Sequence, residues 1–243
     1  MKLEPGIAAP IEYPMSLRTK PTVVRAGEKT MLTFEVQEPR TGKPVTDFEV
    51  MHEKLFHLFI VSEDLTVFAH EHPERNSKGR FYYEAVLPKP GHYRLLADFY
   101  PKGGTPQLIA RSLITVEAGE LRTPALSPDL TPKEAANLGV SLGTEPAQPI
   151  AGQRTLLFFR LSRAEGLEPY LGALGHMLTA SEDLVDMIHA HPAFPEVLDR
   201  KGERQVQFNV IFPREGVHRV WVQFQNNGIL NTAAFNIPVV RLK

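Results

Sequence analysis

The sequence predicts an all-β protein made of two tandem immunoglobulin-like antiparallel β-sandwiches. Three observations carry that expectation. The 243 residues include 21 prolines, and 14 Phe and 6 Tyr against one Trp, a composition suited to short strands separated by turns. The chain also repeats itself. MSLRTKPTVVRAGEKTMLTFEV from Met15 aligns with VSLGTEPAQPIAGQRTLLFFRL from Val140 at an offset of 125, and HLFIVSEDLTVFAHEHP from His57 aligns with HMLTASEDLVDMIHAHP from His176 at an offset of 119. Finally, β-type segments recur about every 10 to 15 residues within each copy.

In the first copy those segments fall at 15–19, 30–36, 55–62, 66–72, 80–87, 92–99 and 107–116. The second copy repeats the series and closes on TAAFNIPVV. Seven short strands in about 100 residues is the pattern of an immunoglobulin-like sandwich. The expected division is a first domain at 1–118, a linker at 119–133 and a second domain at 134–243. The linker is rich in Pro, Ser and Thr, is expected to keep few contacts, and could open a helical turn at TPKEA. Trp221 and Phe224, with Leu96 and Phe99 as counterparts, are expected in the cores.

Composition also narrows function. The net charge is −1, with 15 basic and 15 acidic residues before position 119, so neither half has the basic excess of a nucleic-acid binder. The absence of cysteine excludes disulfides, thiolate metal sites and thiol catalysis. No stretch has the length of an apolar membrane span, and the opening MKLEPGIAAP lacks the apolar region of a signal peptide. The chain as given is expected to be soluble, with a leader either lacking or removed.

Chemistry is concentrated in the repeated S-E-D-L hairpin. If Ser62–Leu65 is the four-residue turn, His57 faces His70 and His72 projects from the same strand face. The same reasoning on Ser181–Leu184 places His176 opposite His189, with His191 beside it. Each triad can converge on an ion with metal–nitrogen bonds of about 2 Å. A slip of one residue would instead turn the first histidine to the opposite face. Neutral imidazole suits Cu(II), Zn(II) and Ni(II) alike. Water, Glu71, His92 or a group from the other domain is available as a fourth ligand. The competing reading makes these histidines half-buried structural residues on a face that also carries Phe59, Val61 and Phe68. His52 precedes His57 by five residues, which breaks the one-face geometry of H-E-x-x-H.

HEKLFHLFIVSEDLTVFAHEHP in the first copy, and YLGALGHMLTASEDLVDMIHAHP with GVHRVWVQFQNNGILNTAAF in the second, resemble YtkA-like and related bacterial secreted domains. The resemblance implies an immunoglobulin-like or cupredoxin-like sandwich and an extracytoplasmic, periplasmic or secreted role in handling metal, Cu(II) being the leading expectation, with His57, His70, His72, His176, His189 and His191 matching the family's histidine pattern. Three functions are carried forward. The first is a non-catalytic copper-binding protein for storage, delivery or sequestration, with a possible protein partner in metal handling. The second is a structural or protein-interaction module with buried, hydrogen-bonded histidines. The third is a mononuclear three-histidine metalloenzyme.

Overall fold

A computed structural model of the chain describes residues 11–116, 125–194, 198–200 and 203–242. The opening ten residues and the first part of the expected linker, 119–124, lie outside them. The chain divides into two compact units, and among the described residues all regular structure is β.

The first unit contains β1 Met15–Lys20, β2 Lys29–Val36, β3 Phe48–Glu49, β4 Phe56–Ser62, β5 Phe68–Glu71, β6 Glu74–Arg75, β7 Phe81–Val86, β8 His92–Pro101 and β9 Gln107–Ile114. One sheet has the order β1-β2-β7-β6, the other β3-β8-β4-β5 with β9 also on β8, and all ladders are antiparallel. Alternation in β2 explains how the sheets meet. Leu32, Phe34 and Val36 point inward with Phe81 and Ala85 of β7, against Phe56, Leu58 and Ile60 of β4 and Leu95, Ala97 and Phe99 of β8. The Phe56 ring is central, lying 4.6 Å from that of Phe81, 5.3 Å from Phe34 and 5.4 Å from Phe99 between ring centres. Truncating so enclosed a ring costs about 3–5 kcal/mol.

The second unit contains β10 Lys133–Glu134, β11 Gly139–Glu145, β12 Arg154–Ser162, β13 Leu167–Glu168, β14 His176–Ser181, β15 Met187–Ala190, β16 Leu198–Arg200, β17 Glu203–Ile211, β18 Gly216–Asn226 and β19 Ile229–Val239. Its sheets run β10-β11-β12-β17-β16 and β13-β18-β14-β15, with β19 on β18. Leu157, Phe159 and Leu161 of β12 and Phe208 of β17 pack against Val222 and Phe224 of β18 and Phe235 of β19. Both units are therefore all-β sandwiches, as the sequence predicts.

Three expectations need correction. TPKEA does not open a helix, because Lys133 and Glu134 form β10, the edge strand beside β11. The described end of the linker region is also well bonded, since the Asp129 and Asn236 backbones exchange hydrogen bonds of 2.9 Å and the Asn236 side chain donates to the Ser127 carbonyl. Among the expected core residues, Phe99 and Phe224 do lie in the cores. Leu96 and Trp221 have the opposite strand parity and are buried on the outer faces of their sheets, Trp221 beneath the Arg219 guanidinium at 5.8 Å.

Candidate metal centre

The hairpins form, with a register different from the one expected. Phe59 pairs with His70 and Leu58 with Glu71, and in the second copy Leu178 pairs with His189. The turn is shifted by one residue. Ser62 closes it by donating its N–H to the Val67 carbonyl, its hydroxyl accepts the Val67 N–H, and Leu65 takes φ of 57°. Ser181, Asp186 and Leu184 do the same in the second copy. A one-residue displacement of the turn moves cross-strand pairing by two residues, and two is the side-chain period of a strand. His57 is thus not directly opposite His70, nor His176 opposite His189, yet every histidine keeps its predicted face.

The first triad converges. Ligand nitrogens of His57, His70 and His72 all lie within 4.8 Å of one another. His57 Nδ1 is 3.1 Å from His70 Nε2, and the His72 ring lies 5.0 Å from that of His57 and 4.7 Å from that of His70. Phe59 stacks on His70 at 4.3 Å, fixing its plane. In the second copy the close pair differs: His176 Nδ1 is 3.1 Å from His191 Nε2, while His189 lies 4.4 Å from His191 and 6.0 Å from His176 between ring centres.

A backbone device with no sequence signature orients the first ring of each triad. Met51 and Lys54 bond each other across a two-residue turn, and so do Tyr170 and Ala173. The turn residues His52 and Glu53, or Leu171 and Gly172, have positive φ, as a tight hairpin of this hand requires. Each turn aims one carbonyl at a histidine: His57 Nε2 donates to the Met51 oxygen at 3.0 Å and His176 Nε2 to the Tyr170 oxygen at 2.8 Å. A carbonyl only accepts, so the proton of the neutral ring sits on Nε2 and the Nδ1 lone pair turns toward the other imidazoles. Metal-ligating histidines are typically oriented by such a backbone bond. Burial holds His57 below the ordinary histidine pKa, favouring the neutral ligating form.

The residues around the triads are unequal. Asp98 of β8 stands directly opposite His57, on the flank away from β5. Burial pushes its pKa up to about 6, and His57 and His52 pull it back down. Gln223 occupies the matching position opposite His176 and donates to the Thr232 hydroxyl at 3.2 Å. Glu71 follows His70 on the opposite face of β5, where its carboxyl meets the Tyr83 hydroxyl, and His92 begins β8 at the end remote from Asp98. Neither supplies a fourth ligand in this arrangement.

The C-terminal hairpin tip carries a separate charged lock. Arg214 meets Asp183 in a two-pronged contact of 2.9 and 3.0 Å and donates to Asp186 at 2.6 Å. The cleft beside it, of about 150 Å³, is lined by Ser181, Asp183, Arg214, Gly216 and His218. His218 is 1% exposed, and neither ring nitrogen makes a well-aligned hydrogen bond.

Residues 12–117 and 133–241 both match the family model described as Domain of unknown function (DUF8832). The chain belongs to that family. It carries two DUF8832 domains, and the resemblance to YtkA-like domains is not confirmed beyond its coarser part, a tandem repeat of all-β domains. No curated protein sequence matches the DUF8832 pair. Among solved structures it is similar to the adhesin FdeC of Escherichia coli, at 16% identity and TM-score 0.31, over 93% of this chain and 64% of that one. It is also similar to InvD of Yersinia pseudotuberculosis, at 14% identity and TM-score 0.30, over 94% and 58%. Fibronectin(III)-like modules of Clostridium thermocellum CbhA align at 10% identity and TM-score 0.24, over 94% and 95%. The chain spans less than two thirds of the length of the FdeC and InvD structures.

Proposed function

We propose that the tandem DUF8832 domains are a non-catalytic, extracytoplasmic binding module whose histidine clusters take up a divalent ion, Cu(II) foremost, for storage, delivery or sequestration. Convergence of the first triad carries this reading. Two nitrogens held about 2 Å from a tetrahedral ion stand about 3.3 Å apart, and His57 Nδ1 and His70 Nε2 are 3.1 Å apart. The Met51 carbonyl supplies the orienting contact that such a ligand uses. All-nitrogen donors fit Cu(II), Zn(II) and Ni(II).

A second reading, a structural or protein-interaction module, fits the family and the fold as they stand. Its own observation is that His57 and His176 each bond a backbone carbonyl and a neighbouring imidazole, leaving both ring nitrogens satisfied without an ion. Calorimetric titration of the full chain with Cu(II) separates the two. The metal reading expects near-stoichiometric binding, lost when His70→Ala and His189→Ala are combined, and weakening below about pH 6 as imidazoles protonate. No binding, or binding indifferent to both substitutions, supports the interaction module.

A further inference from the structure

The repeat makes the two histidine clusters look like duplicates, but the strand beside each tells them apart. β8 and β18 occupy the same place in their sheets and pair along β4 and β14 in the same register. At the position facing the carbonyl-anchored histidine, β8 presents Asp98 and β18 presents Gln223. Residues opposed in this way have β-carbons about 5 Å apart and share a face of the sheet. The N-terminal cluster therefore has a carboxylate across His57 from His70 and His72, and the C-terminal cluster has a neutral amide.

Building on the metal reading, we infer that Asp98 is the charge-balancing carboxylate of the N-terminal cluster, making that cluster the tighter divalent-cation site and the C-terminal one the weaker. Three neutral imidazoles add no charge, so an ion bound by them alone brings two uncompensated positive charges into a water-poor sheet face. His57 is 1% exposed and His70 7%, and in such surroundings a carboxylate one residue away acts with little solvent screening. Asp98 lies across the His57 ring from the partner imidazoles, so it acts on the ion through its field rather than as a ligand. His52, on the tight turn that anchors His57, also lies within that field. The carbonyl anchor is common to both copies and the carboxylate belongs to one, so the orientation of the first histidine is shared while the charge beside it differs.

The test is Cu(II) titration of the full chain carrying one working cluster at a time, His189→Ala leaving the N-terminal cluster and His70→Ala the C-terminal. With His189→Ala, adding Asp98→Asn is expected to weaken binding about tenfold or more, equivalent to about 1.4 kcal/mol. With His70→Ala, adding Gln223→Asp is expected to tighten binding by a similar factor. His52→Ala in the first background should leave most of the affinity, since the carboxylate remains. If Cu(II) binds but shifts less than twofold with both Asp98→Asn and Gln223→Asp, the assignment of Asp98 is overturned and the metal reading stands. If the unaltered chain binds no Cu(II), both fall. Should Asp98→Asn fail to fold, Gln223→Asp decides alone.

Discussion

His218 is a flaw that the first copy shows how to repair. At the matching place in the first unit stands Tyr93, whose hydroxyl donates to the Lys89 carbonyl at 2.7 Å and receives the Lys89 N–H at 3.3 Å. The second copy has Arg214 where the first has Lys89, and His218 is too short to repeat the contact. Its two ring nitrogens are buried and make no well-aligned hydrogen bond, the Gly216 carbonyl offering only a weak contact, and the adjoining cleft leaves about 150 Å³ beside Ser181 and Arg214. His218→Tyr should send a hydroxyl toward the Arg214 backbone and keep the ring contact with Phe212, now 4.9 Å between centres. Removing a buried unpaired polar group is worth about 1–3 kcal/mol, and the restored hydrogen bonds about 1 kcal/mol more. We expect about 2 kcal/mol of added stability at pH 7.5, read as a higher urea midpoint at unchanged slope. The pH dependence is a second signature. Burial holds His218 below its ordinary pKa, opposed by the Gly216 carbonyl and the Asp186 and Asp183 carboxylates and reinforced by Arg214. The unfolded chain then takes up the proton first, so this contribution is complete above about pH 6.5 and declines as pH falls toward the depressed folded value, by at most about 1.4 kcal/mol per unit. The tyrosine variant should lose that part of the decline. A destabilised variant, or one with the same acid sensitivity, refutes the account of His218.

Three further outcomes follow from the same geometry. Asp98→Asn should stabilise the metal-free protein at pH 7 by up to about 3 kcal/mol, because the folded carboxyl titrates at about 6 rather than 3.8; the gain should fade between pH 6 and pH 4, where the native acid is protonated, and equal stability of the two proteins at pH 7 counts against it. Glu53→Gly should raise the melting temperature slightly, by up to about 1 kcal/mol in stability, since Glu53 holds φ at 63° where the second copy has Gly172 at 72°; a clear loss in thermal unfolding rejects it. Phe56→Ala should cost about 3–5 kcal/mol, measured in urea, because its ring touches three other buried phenylalanines.

The fold was legible because a sandwich writes itself in alternation. TMLTFEV reads as an inward-outward strand, and the same phase recurs 125 residues later in TLLFFRL. The triads were legible for a narrower reason: parity survives a two-residue error in register. The register itself was hidden because the turn places Leu65 and Leu184 at positive φ, where a branched apolar side chain gives no turn signal. The Met51 and Tyr170 anchors were invisible because a backbone carbonyl has no residue identity. Asp98 was missed because it lies on a distant strand and differs from its counterpart Gln223, so a search for repeated chemistry passes over it.

The Arg214 lock has a consequence for the histidine strand it borders. Asp183 and Asp186 belong to the turn that delivers β15, so tying them to the start of β18 holds His189 and His191 in place before any ligand arrives. Ordering entropy that a loose hairpin would lose on binding is then lost during folding instead. Arg214 and Asp183 are half-exposed while Asp186 is largely covered, and dissolved salt screens the exposed pair most. Ionic strength thereby acts on the stiffness of the C-terminal hairpin and leaves the imidazoles themselves untouched.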